Sequence, residues 1–214
     1  MNMAPLGIDA ILRAGPVIAV VTIERAADAP SIAAALAQGG VRVLEVTLRT
    51  SAALAAIEAI AALPIDVLVG AGTARAAQDF RAAEGAGARF IVSPGYTAEL
   101  ARTALAARVP WLPGVATASE ILLAQESGFD RLKFFPAQAA GGIAALRAFG
   151  AVFPDVRFCP TGGIDADNAA PYLALANVDC VGGSWLTPPA ALASRDWRQI
   201  EALAAAAATL GRSR

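Results

Sequence analysis

The 214-residue chain contains no histidine, which excludes Ser-His-Asp and Cys-His nucleophiles, an imidazole general base and most zinc and non-haem iron sites. Its formal net charge of −1, without any Lys/Arg block, leaves no electrostatic footprint for nucleic acid or a membrane surface. Apolar residues make up 57%, yet stretches such as 16–22 and 203–210 fall well short of the ~18 residues a membrane span needs.

Eight short β-branched or apolar runs punctuate the chain, at 17–21, 41–46, 67–69, 89–92, 110–112, 132–135, 156–159 and 178–181. Ala-rich helical stretches separate them. The stretch Ala26 to Gln38 stops at Gly39-Gly40, and Ser51 to Leu63 opens on a serine cap and stops before Pro64. Strands and helices alternating about every 20 to 26 residues predict parallel βαβ units. Eight such units fit a closed (β/α)8 TIM barrel better than an open sheet. A doubly wound sheet would carry a three-glycine dinucleotide turn near its start. Gly70-Ala71-Gly72-Thr73 lacks the third glycine and follows the third run.

No linker or composition shift divides the chain, so a single domain over residues 1–214 is expected. Met1 to Ala10 shows no basic segment followed by an apolar core, so no secretory signal is read there. Cys159 and Cys180 form no CxxC pair; buried thiols in a reducing, cytoplasmic compartment are expected, with no metal.

In a barrel of this kind the ligand site lies where strands end and βα loops begin. Those ends carry Glu45 to Arg49, Gly70 to Thr73, Ser93-Pro94-Gly95, Pro113 to Thr117, Lys133 to Pro136, Pro160 to Gly163 and Gly182-Gly183-Ser184. Lys133 is the only lysine; the other sixteen basic residues are arginine. An amine, unlike a guanidinium, can lose its proton near neutral pH and attack a carbonyl carbon to form a Schiff base. Strand parity puts Lys133 and Phe135 on one face, opposite Leu132 and Phe134. Aromatic walls and a neighbouring arginine would both lower the proton affinity of this amine.

Parity likewise groups Glu45 with Val43 on one face of its strand. A buried acid there is either working or paired, and Arg49 is the candidate partner. Gly162, Gly163, Gly182 and Gly183 sit at the last two strand ends, the usual phosphate position of the fold. Backbone N–H groups there can converge on an anion without Cβ obstruction.

Together these runs resemble the family of 2-keto-3-deoxy-6-phosphogluconate (KDPG) aldolases, the class I, Schiff-base aldolases of the Entner–Doudoroff pathway (the KDPG/KHG aldolases). The resemblance spans nearly the whole chain. It rests on Gly40 to Thr50 (GVRVLEVTLRT), Val69 to Thr73 (VGAGT), Ser93-Pro94-Gly95, Lys133 to Ala137 (KFFPA), Arg157 to Ile164 (RFCPTGGI) and Gly182 to Leu186 (GGSWL). It implies that Lys133 forms the imine, that Glu45 shuttles protons, and that Arg49 and Thr73 hold the pyruvyl carboxylate. It also implies further substrate contacts from Pro94, Phe135 and Thr161, and a phosphate site at Gly162, Gly163, Gly183 and Ser184. The implied partner is a small-molecule substrate, the implied assembly a homotrimer, and no cofactor is needed. Ala19, the Ala74-Arg75-Ala76 stretch, Gln138 and Ala140 depart from the family's pattern, and Arg75 and Gln138 bear on the site rim.

Three other functions compete. The same chemistry on 4-hydroxy-2-oxoglutarate or on the 6-phosphogalactonate analogue differs in substrate alone, and stereochemistry at C4 is not legible in one sequence. Metal-using phosphosugar epimerases rely on histidine ligands, absent here. A non-catalytic sugar-phosphate binder would have no use for an inward Glu–Lys pair.

Overall fold

The structure, a computed structural model, describes residues 7–211; residues 1–6 of the segment examined for a secretory signal lie outside them. The first half contains α1 (Ile8–Leu12), β1 (Val17–Val21), a 3-10 turn (Ala26–Asp28), α2 (Ala29–Gln38), β2 (Val43–Thr47), α3 (Ala53–Ala61), β3 (Leu68–Gly72), α4 (Ala77–Gly85), β4 (Ile91–Val92) and α5 (Ala98–Ala106). Then come β5 (Trp111–Leu112), β6 (Gly114–Val115), α6 (Ala118–Glu126), β7 (Arg131–Phe134), α7 (Gly142–Val152), β8 (Arg157–Pro160), α8 (Ala169–Leu173), β9 (Val181–Gly183), α9 (Pro189–Ser194) and α10 (Trp197–Ala208).

Every strand pairing is parallel. One sheet runs β5-β4-β3-β2-β1-β9 and a second runs β6-β7-β8. The protein is therefore a parallel α/β fold, the class that the alternating runs predict. Single parallel bridges also join Phe158 to Val178 and Thr161 to Gly182. Pro113, which has no N–H to donate, separates β5 from β6. Gly114 and Val115, expected in a rim loop, pair instead with Lys133 and Phe134.

Two strand boundaries shift toward glycines. β3 continues through Gly70 and Gly72, and β9 takes in Gly182 and Gly183 instead of ending at 181. These glycines were expected in loops, but in the strands they are sockets for neighbouring side chains. A Cβ on Gly70 would lie 2.5 Å from the Phe90 ring, and one on Gly182 would lie 3.0 Å from Thr161 Cγ2. A Cβ on Gly183 would overlap the Trp185 ring. Ser51 does not cap its helix: α3 begins at Ala53 without a side-chain cap.

The strands bury both faces, as parallel sheets do. Val17, Ala19, Val21, Leu44 and Val46 pack under the helices, with Ile32, Leu36, Ile57 and Ile200 among their partners. The alternate residues Ile18 and Val43 form a second cluster with Phe90, Leu112 and Cys159, closed off by Ile11 and Leu12 of α1. Small residues bring helices close. A Cβ on Gly39, just past α2, would lie 2.5 Å from the Ala204 Cβ of α10.

Asp9 on α1 pairs with Arg131 at the start of β7 and with Arg13. The hydrogen bond from Arg131 holds the Asp9 carboxyl below its usual range, against a smaller upward push from burial. This tether fixes α1 at the opposite end of β7 from Lys133.

Candidate active site

Glu45 on β2 and Lys133 on β7 come from strands that are not neighbours, yet their side chains meet in the interior. Lys133 Nζ donates to Glu45 Oε1 at 2.9 Å and to Oε2 at 3.2 Å. Side-chain exposure is 6% for the lysine and 3% for the glutamate, so water screens this pair little. The Phe135 ring lies over the amine, 5.4 Å from Nζ to its centroid. Gly72 makes room for the carboxylate, since a Cβ there would lie 2.6 Å from Glu45 Cγ. Gly114, register partner of Lys133, lets the chain at Pro94 and Gly95 come close.

This arrangement overturns the Glu45–Arg49 ion pair considered from the sequence. Glu45 pairs with Lys133, and the charged group beside the lysine is a carboxylate, not an arginine. Arg49 instead donates from Nη2 to Thr22 Oγ1 at 2.7 Å and from Nε to Thr47 Oγ1 at 3.2 Å. The two hydroxyls are 3.0 Å apart. Arg49 and Ser184 also line a cavity of about 650 Å³ shared with Thr22, Ile23, Arg25 and Leu192. Lys133 and Glu45 are not among its lining residues.

The other expected residues are distributed as follows. Thr73 directly follows β3 at φ +63°, a left-handed conformation rarely taken by a β-branched residue and costing on the order of 1–3 kcal/mol. Pro94 follows Ser93, whose buried hydroxyl donates to Gly95 O at 2.6 Å and accepts from Trp111 Nε1 at 3.0 Å. Thr161 is buried, seated against Gly182. Gly162 and Gly163 turn the chain at φ +100° and +75°, which glycine alone adopts without strain. The N–H groups of Gly162, Gly163 and Ser184 have no hydrogen-bond partner among the described residues. Gly183, by contrast, is a buried strand residue.

Thr22 and Thr47 were not singled out in the sequence. Thr47 had a usable signal, since Glu45, Thr47 and Arg49 share one strand parity. Thr22, just past the first run, had none. Gln138, one of the departures, accepts from Tyr172 Oη at 2.7 Å. Burial raises the Tyr172 pKa, which keeps the phenol protonated and able to donate. Cys159 and Cys180 are buried free thiols, as expected. Hydrogen bonding to Cys159, followed by burial, raises the Cys180 pKa well above its usual range.

Fold and site together define a parallel α/β protein holding one enclosed amine against one carboxylate, the equipment of imine chemistry. Comparison with known proteins narrows the class. The family model for KDPG and KHG aldolase matches residues 8–203. The 2-dehydro-3-deoxy-phosphogluconate aldolase of Pseudomonas aeruginosa is 51% identical over 196 residues, which is 92% of this chain and 89% of that one. The KHG/KDPG aldolase of Escherichia coli is 47% identical over 196 residues, 92% of each chain. A crystal structure of the KDPG aldolase from Legionella pneumophila, with pyruvate captured at low pH as a covalent carbinolamine intermediate, superposes with a TM-score of 0.91. It is 46% identical, covering 94% of this chain and 98% of that one. The chain belongs to the KDPG and KHG aldolase family.

Proposed function

We propose that the protein is a class I aldolase that cleaves 2-dehydro-3-deoxy-6-phosphogluconate to pyruvate and glyceraldehyde 3-phosphate, in the Entner–Doudoroff pathway. The observation that carries this reading is the buried contact between Lys133 Nζ and both oxygens of Glu45. The neutral amine adds to the C2 ketone, giving a carbinolamine, and loss of water leaves a protonated imine. Glu45 relays protons in that step and then accepts the C4 hydroxyl proton. The C3–C4 bond breaks, its electrons pass into the imine, and the aldehyde departs. The enamine takes a proton at C3, and hydrolysis releases pyruvate and regenerates the amine. Neither a metal nor an organic cofactor takes part in these steps.

The remaining roles follow from the family resemblance. Arg49 and Thr73 hold the pyruvyl carboxylate, and Pro94, Phe135 and Thr161 line the substrate. The phosphate lies on Gly162, Gly163, Gly183 and Ser184. The unpartnered N–H groups of Gly162, Gly163 and Ser184 support that phosphate position. Gly183 then contributes chiefly as the socket for Trp185.

The architecture reads as one domain forming a closed (β/α)8 barrel. In this reading β5 and β6 are one strand interrupted at Pro113, and the Phe158–Val178 and Thr161–Gly182 bridges join β8 to β9. A homotrimer is the proposed assembly. The resemblance supplies the number three, and Leu105, Leu122, Leu123 and Val152, all exposed, supply apolar surface for a partner to cover. A cytoplasmic location fits the free thiols. No helix among the described residues is long and apolar enough to cross a membrane.

Borohydride added with pyruvate tests the function directly. A stable adduct on Lys133, located by peptide mapping, is expected; an unmodified lysine, or label on the N-terminal amine alone, would end the Schiff-base claim. A second experiment addresses the substrate. At Gly163 a Cβ would lie 2.6 Å from Gln138 Cβ, and the residue already sits at φ +75°. Gly163→Ala should raise KM for the phosphorylated substrate by about tenfold or more, the scale of lost charge-assisted hydrogen bonds. KM for the phosphate-free 4-hydroxy-2-oxoglutarate should change far less. Equal losses on both substrates would place the phosphate elsewhere.

A further inference from the structure

We infer that Thr22 and Thr47 are positioning residues that orient the Arg49 guanidinium toward the carboxylate of the 2-oxo acid; this rests on the proposed reading of Arg49 as that carboxylate's ligand. The β1–β2 register pairs Val21 with Val46, so the next residues, Thr22 and Thr47, stand side by side at the strand ends. Thr47 is buried on β2, and Thr22 is half-buried just past β1. Both accept from Arg49, through Nη2 at 2.7 Å and Nε at 3.2 Å, while their hydroxyls lie 3.0 Å apart. Each threonine has one hydroxyl hydrogen and two lone pairs, so one O–H can bridge to the other oxygen while both oxygens receive an arginine N–H.

The choice of donors matters. Nε–H and one Nη2–H form the side edge of the guanidinium, and the threonines occupy that edge. The terminal edge, made of Nη1–H and the second Nη2–H, has no partner among the described residues. With the side edge occupied, the terminal edge is the one left to grip a carboxylate through two parallel bonds, and its value depends on being aimed in advance. Arg49 is otherwise exposed and has no carboxylate partner among the described residues, so the threonine pair is what restrains it. Neither hydroxyl bonds to Lys133 or Glu45, so the pair acts on binding and not on the imine steps.

Thr22→Val in the full chain tests this, because valine keeps the shape and removes the hydroxyl. A hydrogen bond to a charged group corresponds to roughly 10- to 100-fold in an equilibrium constant. The pyruvate concentration giving half-maximal borohydride labelling of Lys133, and KM for the phosphorylated substrate, should each rise about tenfold. Maximal labelling and kcat should stay within about twofold, and Thr22→Ser should return both half-saturation values to within about twofold of the parent. Unchanged half-saturation in Thr22→Val overturns the inference. So does a fall in kcat at constant KM, or a Thr22→Ser variant as impaired as Thr22→Val, which would make the site one of packing. Arg49→Met separates this inference from the reading beneath it: if that variant leaves half-saturation unchanged, Arg49 is not the carboxylate ligand and both fall. Absence of labelling in the parent protein refutes the Schiff-base chemistry itself.

Discussion

Lys133→Arg is expected to lower kcat by on the order of 10⁵-fold or more, the scale seen when a covalent nucleophile is removed, while the chain still folds. The guanidinium remains protonated at any pH at which the protein is handled, so it has no lone pair with which to attack the C2 ketone. It does preserve the charge opposite Glu45, which decides whether the variant is informative. With side-chain exposures of 6% and 3%, the pair is held where an uncompensated carboxylate is costly. Lys133→Ala would strand the Glu45 charge and cost about 3–5 kcal/mol, confusing loss of chemistry with loss of fold. The extra bulk of arginine under Phe135 costs about 1–3 kcal/mol, the usual range for overpacking. Activity measured by coupled pyruvate release, beside a urea melt, separates the two effects. A folded Lys133→Arg protein that keeps more than about one hundredth of the parent's kcat would show that the amine is not the nucleophile.

What was legible in the sequence was what depends on side-chain pattern along the chain. The run VIAVV at 17–21 became β1 residue for residue, because a strand buried on both faces is apolar throughout. Parity alone grouped Glu45 with Val43 and Lys133 with Phe135, since alternate side chains point to opposite sides of a strand. Glycines hid two boundaries. Gly70, Gly72, Gly182 and Gly183 carry no pattern of their own, and in isolation they read as turns. They are strand residues because Phe90, Glu45, Thr161 and Trp185 fill the space beside them, and those neighbours come from elsewhere in the chain or from a later turn. The ion partner of Glu45 lies beyond the reach of sequence for a related reason. Arg49 is four residues away in sequence, but the interior of the fold offers Glu45 the amine of Lys133, eighty-eight residues on. Proximity along a strand says which groups share a face; only the way the two sheets sit in the fold says which faces meet.

Glu45→Gln carries the second largest effect, a fall in kcat of about 10² to 10⁴-fold, the usual contribution of a general acid–base group. The carboxylate lies within hydrogen-bond reach of Nζ through both oxygens, as proton transfer to and from the amine requires. Glutamine keeps the length and one acceptor oxygen, and the socket at Gly72 remains open to it. What it cannot do is take up the C4 hydroxyl proton as the C3–C4 bond breaks. Imine formation should survive in part, because a water in the site can serve that step more slowly. The discriminating observation is therefore a split. Borohydride with saturating pyruvate should still label Lys133, while cleavage and the exchange of pyruvate's C3 protons with solvent slow together. The melt belongs beside the kinetics, since the variant removes the lysine's charge partner and a buried ammonium left alone costs several kcal/mol. If the folded variant keeps more than about a third of the parent's turnover, Glu45 is only the ion partner that holds Lys133 in place, and another group must carry the proton.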